Sequence, residues 1–182
     1  IFQWRSTSHP FVQRRLPRGA DEAIAIYRSS VSGQVLAVVA EHVVNNYVVF
    51  PGVGYLEMAR AAGTAGAALH GVFFLQPLAL GTPGLVVDCA ITDGRFEVRS
   101  DEGSIATEDA AMHCTGALYA SDADRRYVDH ASSHSHSWSA AHVGTIYDGC
   151  YVAGLQYGPR FRTLIQGWAG ADNAAARLQA RL

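Results

Sequence analysis

The sequence predicts an α+β fold in which one helix lies in a strongly antiparallel sheet. Three observations carry this reading. β-Branched and aromatic runs recur at short, regular spacing between Gly- or Pro-containing turns over residues 20–120. A single stretch after Pro51-Gly52 spaces its apolar residues as a helix does. Hydrophobic residues make up 49% of the 182-residue chain and charged residues 16%, so a substantial core can be buried.

The elements follow in chain order. The opening "IFQWRSTSHPF" has neither an apolar signal region nor a start methionine and reads as an excised part of a longer chain. In "DEAIAIYRSSVSGQVLAVVA", two strands are expected around 24–29 and 35–39, with a turn at Ser32-Gly33. "NYVVFP" is a third β-branched and aromatic run. After the Pro51-Gly52 break, Val53, Leu56 and Ala59, with Met58 and Ala62, fit a helix that Gly63 ends. The small residues of "MARAAGTAGAAL" suit a helix packed close to neighbouring backbone. "GVFFLQPLAL", "GLVVDCAI", "GRFEVRS" and "AAMHCTGALYAS" read as four further strands.

Near Ser121 the composition changes. "SDADRRYVDHASSHSHSWSAAH" is polar, Ser/His-rich and aperiodic, which marks a linker over 121–144. From Thr145, "TIYDGCYVAGL" suits a short helix ended by Gly154, "YGPRF" a turn, and "RTLIQGWAG" and "AAARLQARL" strands. The expected division is therefore an N-terminal unit over 1–120 with its lead-in linker, the 121–144 linker, and the start of a second unit over 145–182.

Bulk properties exclude several partners. A net charge of −2 gives no general electrostatic reason to expect nucleic acid or an anionic membrane. No apolar run approaches the ~20 residues needed to cross a bilayer. Three widely spaced cysteines without a CxxC fit a reduced, intracellular protein. His130, His134, His136 and His142 lack Cys or carboxylate partners at ligand spacing, so no metal is expected.

His42 stands at the mouth of an apolar run, nine residues before Pro51. "HVVNNYVVFP" matches the His and Pro of an HxxxGxxxxP signature, and "GVGYLEMA" follows it as a PG-x-x-Y-x-E-x-A helix start. "HCTGAL" (His113 to Leu118) resembles a closing H-x-x-G, and "GLQYGPRF" (Gly154 to Phe161) a G-Y-x-YGP-x-F motif. Together, in this order, they make residues 1–182 resemble the first two-thirds of a dehydratase domain from a modular (type I) polyketide synthase. The resemblance implies a double hotdog, each hotdog an antiparallel sheet wrapped around a central helix, with the second incomplete in this chain. Two positions depart from the pattern: Asn46 stands where the signature has Gly, and Leu155 where the second motif has Tyr. Asn tolerates positive φ, so the turn at Asn45-Asn46 is expected to survive. The family's catalytic Asp, in a D-x-x-x-Q/H motif on the second hotdog, finds no counterpart there in this chain: Asp172 is followed four residues later by Ala176, and Asp148 lies in the wrong segment.

The implied reaction is removal of water from a β-hydroxyacyl chain on acyl carrier protein, giving an α,β-unsaturated thioester. It needs a base for the α-proton, an acid for the β-hydroxyl, and donors for charge on the thioester oxygen. A neutral imidazole at His42 suits the base. Backbone N–H groups at the helix start around Pro51, Gly52 and Val53 suit the thioester, aided by the helix dipole. The resemblance places Tyr157 where it would hydrogen-bond the departing hydroxyl, packing beside Pro159 being the alternative. It places Asn46, Tyr55, Gly158 and Pro159 along the substrate. His113 reads as structural; Arg160 and Arg162 read as surface residues, a phosphopantetheine phosphate being their other use. No metal or redox cofactor is implied, since the phosphopantetheine arm belongs to the carrier protein. Other synthase domains are implied partners, a homodimer is admitted, and the setting is cytoplasmic. The rival readings are a non-catalytic dehydratase-like domain, structural or acyl-binding, and a double hotdog cyclase or isomerase.

Overall fold

The computed structural model describes residues 9–17, 24–64, 66–101, 110–120, 139–170 and 174–179. The chain divides into two units, one of Ile1–Ala40 with Val48–Asp122, the other of Glu41–Tyr47 with Ala123–Leu182. Residues 41–47, expected within the N-terminal unit, thus group with the second.

The first unit contains β1 (Arg14–Arg15), β2 (Ala25–Ser30) and helix α1 (Gly33–Val39). After the two-residue strands β3 (Val43–Val44) and β4 (Tyr47–Val48) comes helix α2 (Gly52–Ala62). Strands β5 (Ala67–Phe74), β6 (Val86–Thr92), β7 (Arg95–Asp101) and β8 (Ala111–Ala120) follow. Six strands form one antiparallel sheet in the order β1-β2-β6-β7-β8-β5, and α2 packs on β5, β6 and β7. This is the hotdog arrangement.

Why α2 sits there is plain from its spacing. Tyr55, Met58, Ala59 and Ala62, at i, i+3, i+4 and i+7, are its buried apolar stripe. The sheet answers with alternate residues: Val87 and Cys89 on β6, Phe96 and Val98 on β7, Cys114 on β8. Gly116 faces Phe96 across the β7–β8 pair, and a Cβ there would come within 2.7 Å of the fully buried ring. Its missing side chain is what makes room for the phenyl group. Cys89 and Cys114 are free thiols, and burial first of all pushes them up to about 12 and about 11.

Three expectations need correction. The 35–39 stretch is helix α1, not a strand: Val35 and Val39, four apart, are buried while Leu36 and Val38 are exposed. Helical packing overrides the β propensity of its valines. Strand β5 begins at Ala67, within the small-residue run read as helix-like, and ends at Phe74 rather than continuing to 80. Finally, part of the expected linker is regular structure. Ser139–Ala141 forms β9, and helix α3 (Val143–Val152) starts before Thr145, with His142 accepting a hydrogen bond from the Thr145 N–H. The rest of that linker, with His130, His134 and His136, lies outside the described residues, as do residues 1–8.

In the second unit, β9, β10 (Leu164–Ala169) and β11 (Ala174–Leu178) make a three-stranded antiparallel sheet in the order β11-β10-β9. A short 3-10 turn, Pro159–Phe161, precedes β10. No helix among the described residues is long and apolar enough to cross a membrane.

Candidate active site

His42 sits in a short antiparallel ribbon within the second unit. Residues 41–45 run against 154–158, joined by Gly158 N–H to the Glu41 carbonyl, Gln156 N–H to Val43, and Asn45 N–H to Gly154, each at 2.8 Å. Val44 bridges Leu155 in the same register. That register sets His42 opposite Tyr157. Their rings stack, with centroids 5.4 Å apart at 26°, and Phe161 closes the group at 5.2 Å from His42 and 6.0 Å from Tyr157. Both His42 and Tyr157 are half-buried.

The sequence accounts for both ends of this ribbon. Asn45 and Asn46 have φ of +49° and +67°, so the expected left-handed turn is present with Asn in place of Gly. Gln156 reaches this turn: its Oε1 accepts from the Asn46 N–H at 2.7 Å, and its Nε2 donates to Asn46 Oδ1 at 2.9 Å. At the other end Glu41 Oε2 accepts the Arg160 N–H at 2.6 Å, tying the 3-10 turn to the residue before His42. Gly158 permits this closeness, since a Cβ there would lie 2.6 Å from that of Glu41. Arg162 Nε donates to the Tyr157 carbonyl at 2.8 Å, and its guanidinium lies 5.6 Å from the Tyr147 ring centroid. Arg160 and Arg162 are thus both engaged locally.

The other expected residues belong to the first unit. Pro51 caps α2 in extended conformation, and the Gly54 N–H turns back to its carbonyl at 2.8 Å. The Gly52 and Val53 amides belong to the first turn, where a helix leaves N–H groups without internal acceptors. Val53 is exposed, whereas the space a Cβ would take at Gly52 borders the Phe74 ring at 3.2 Å. Tyr55, expected along the substrate, is instead a core residue, 3% exposed. It stacks on Phe50 at 4.9 Å and lies over His113 at 6.0 Å.

His113 is structural, as read. Ser100 Oγ lies 2.7 Å from its Nε2, and the Gln76 carbonyl oxygen 3.1 Å from its Nδ1. Burial lowers its pKa, only partly offset by the Gln76 carbonyl, so the neutral ring is favoured. Asp148 is exposed on α3, and Asp172 lies outside the described residues. Among the described residues no group of three His, Cys, Asp or Glu side chains is placed to hold a metal. Sequence reasoning missed Glu41, Gln156 and Phe161 as supports of His42. Only their position beside two motifs hinted at it.

Comparison with known proteins shows the family of the chain. A family model described as "Polyketide synthase dehydratase domain" matches residues 9–101. The polyketide synthase ThaG of Burkholderia thailandensis is 34% identical over 154 residues, covering 77% of this chain and 3% of that protein. The highly reducing polyketide synthase SAT13 of Stachybotrys chartarum is 27% identical, covering 82% of this chain and 8% of its own length. Among solved structures, the dehydratase domain from the CurF module of curacin polyketide synthase superposes with a TM-score of 0.82 at 21% identity, over 93% of this chain and 66% of that one. GphF Dehydratase 1 gives a TM-score of 0.75 at 25% identity, over 94% and 64%. The chain therefore spans a few per cent of the curated synthases and about two thirds of the solved domains.

Proposed function

This chain belongs to the polyketide synthase dehydratase domain family, and from that premise we propose that it removes water from a β-hydroxyacyl thioester. The observation that carries the reading is His42 held opposite Tyr157, their rings 5.4 Å apart, in a ribbon pinned at both ends.

In this reaction the His42 imidazole takes the proton from the carbon next to the thioester. The C–H electron pair forms the new double bond as the Cβ–O bond breaks. The hydroxyl leaves as water once an acid supplies its proton. Tyr157, across from the base, hydrogen-bonds that hydroxyl. The first turn of α2 carries the kind of donor that negative charge on the thioester oxygen requires. A carboxyl group is the expected acid, and the D-x-x-x-Q/H motif expected to carry it has no match in residues 145–182.

The substrate rides on the phosphopantetheine arm of an acyl carrier protein, and no metal or redox cofactor is needed. The other domains of a synthase, a second copy of the domain and the cytoplasm are the proposed setting. The test is turnover of a β-hydroxyacyl N-acetylcysteamine thioester by the complete domain and its His42→Ala variant. Loss of a general base should cost about 10²–10⁴ in rate while the half-buried site keeps its fold. Near-normal turnover by a folded His42→Ala protein would place the chemistry elsewhere.

A further inference from the structure

We infer that Asn46 and Gln156 form an amide clamp that holds His42 in register with Tyr157, making both of them positioning residues rather than substrate contacts. The catalytic meaning of this rests on the dehydratase reading. The register itself does not.

The ribbon that presents His42 is short. Among the described residues, three backbone hydrogen bonds and one bridge join 41–45 to 154–158. Two-stranded pairings of this size are marginal alone, and a slip of one residue turns every side chain to the opposite face. Such a slip would take His42 away from Tyr157. Something must therefore choose the register.

The Gln156 side chain is placed to do so. Its own backbone N–H is bonded to Val43, and its side chain runs along the ribbon to the turn. There it makes two directional bonds to one residue, accepting from the Asn46 N–H and donating to Asn46 Oδ1. A one-residue slip would carry the Gln156 side chain to the other face and break both. The clamp is satisfied in one register only, the one in which His42 faces Tyr157.

Position 46 makes two demands at once. Its φ of +67° suits Gly, Asn or Asp. The second bond requires a side-chain acceptor, which Gly lacks. Asn meets both demands, and so would Asp. At the far end, the Glu41 carboxylate on the Arg160 N–H fixes the residue before His42, so the imidazole is bracketed by two pins.

The experiment uses the complete dehydratase domain with Gln156→Ala, Asn46→Gly, Asn46→Asp and the Asn46→Gly/Gln156→Ala pair. Two readouts are taken: kcat and KM on an N-acetylcysteamine thioester, and the ring resonances of ¹³C-labelled His42, assigned by their loss in His42→Gln. Displacing a catalytic group should lower kcat about tenfold in Gln156→Ala while KM changes little. The His42 signals should move as the stack on Tyr157 loosens. Asn46→Asp keeps the side-chain acceptor and should lose less kcat than Asn46→Gly, which should itself lose less than Gln156→Ala. The pair should be no worse than Gln156→Ala alone, because both changes break one contact. Should Gln156→Ala not fold, Asn46→Gly serves instead, since Gly accepts the backbone at this turn. Unchanged kcat and unchanged His42 resonances in both variants would overturn the clamp. A wild-type domain without turnover, whose His42 signals still move in Gln156→Ala, would support the clamp and sink the dehydratase reading.

Discussion

The hydroxyl of Tyr55 is buried with no hydrogen-bond partner among the described residues. Burial above all raises its pKa, so the phenol stays protonated at any ordinary pH. The ring is well used: it stacks on Phe50 at 20° and lies nearly parallel to His113 at 12°. The oxygen is a cost, because a buried polar group without a partner forfeits its hydration. Tyr55→Phe keeps the stack and removes the orphan oxygen. Thermal unfolding of the complete domain should show it equally stable or more stable by about 1 kcal/mol, with turnover retained. A loss of stability would reveal a partner for the hydroxyl. Lost turnover with an intact fold would return Tyr55 to the substrate surface. His113, by contrast, is satisfied on both ring nitrogens, which is why a histidine tolerates 3% exposure there.

At the level of elements, α3 shows what a cap can do when it is of an unusual type. His142 precedes the helix and its Nδ1 accepts from the Thr145 N–H at 3.4 Å, a long bond. Asp at this position brings a shorter reach and a charge that suits the helix dipole. His142→Asp should raise stability by about 0.5–1 kcal/mol, read as a higher Tm. A lower Tm would mean that the imidazole makes contacts worth more than its cap. The same residue explains why the sequence reading began this helix at Thr145: a histidine cap is not among the usual start signals. Helix α1 was hidden for a different reason. Its valines favour strands, and only its packing reveals that Val35 and Val39 share a face. Helix α2 was legible because Pro51, Gly63 and the apolar spacing all agree, and β6 and β7 because they alternate. The motifs marked His42 and Tyr157 separately. Their stacking was not legible, since it depends on a pairing between distant segments, and Glu41 and Gln156 are ordinary polar residues until that pairing is known.

Over the whole chain, the groups needed for elimination are unequally represented. The imidazole of His42 is the proposed base, and α2 opens on first-turn N–H groups. A carboxyl group matching the expected acid is missing from residues 145–182: Asp148 is exposed on α3, and no D-x-x-x-Q/H pattern occurs there. Tyr157 stands across from the base, yet a phenol is a far weaker acid than a carboxyl group. Hydroxide is a very poor leaving group, so an elimination with a base and no competent acid should stall. The second unit also carries exposed apolar side chains, Tyr151, Val152, Ile165 and Leu178 among them, the most open of which is 88% exposed. Residues 1–182 alone should therefore turn over a β-hydroxyacyl thioester at least about 100-fold more slowly than a chain extended by about 100 residues. They should also self-associate through the exposed apolar surface, visible by light scattering. Equal and robust rates from the two proteins would show that the acid already lies within residues 1–182, and Tyr157 would then be the first residue to test for that role.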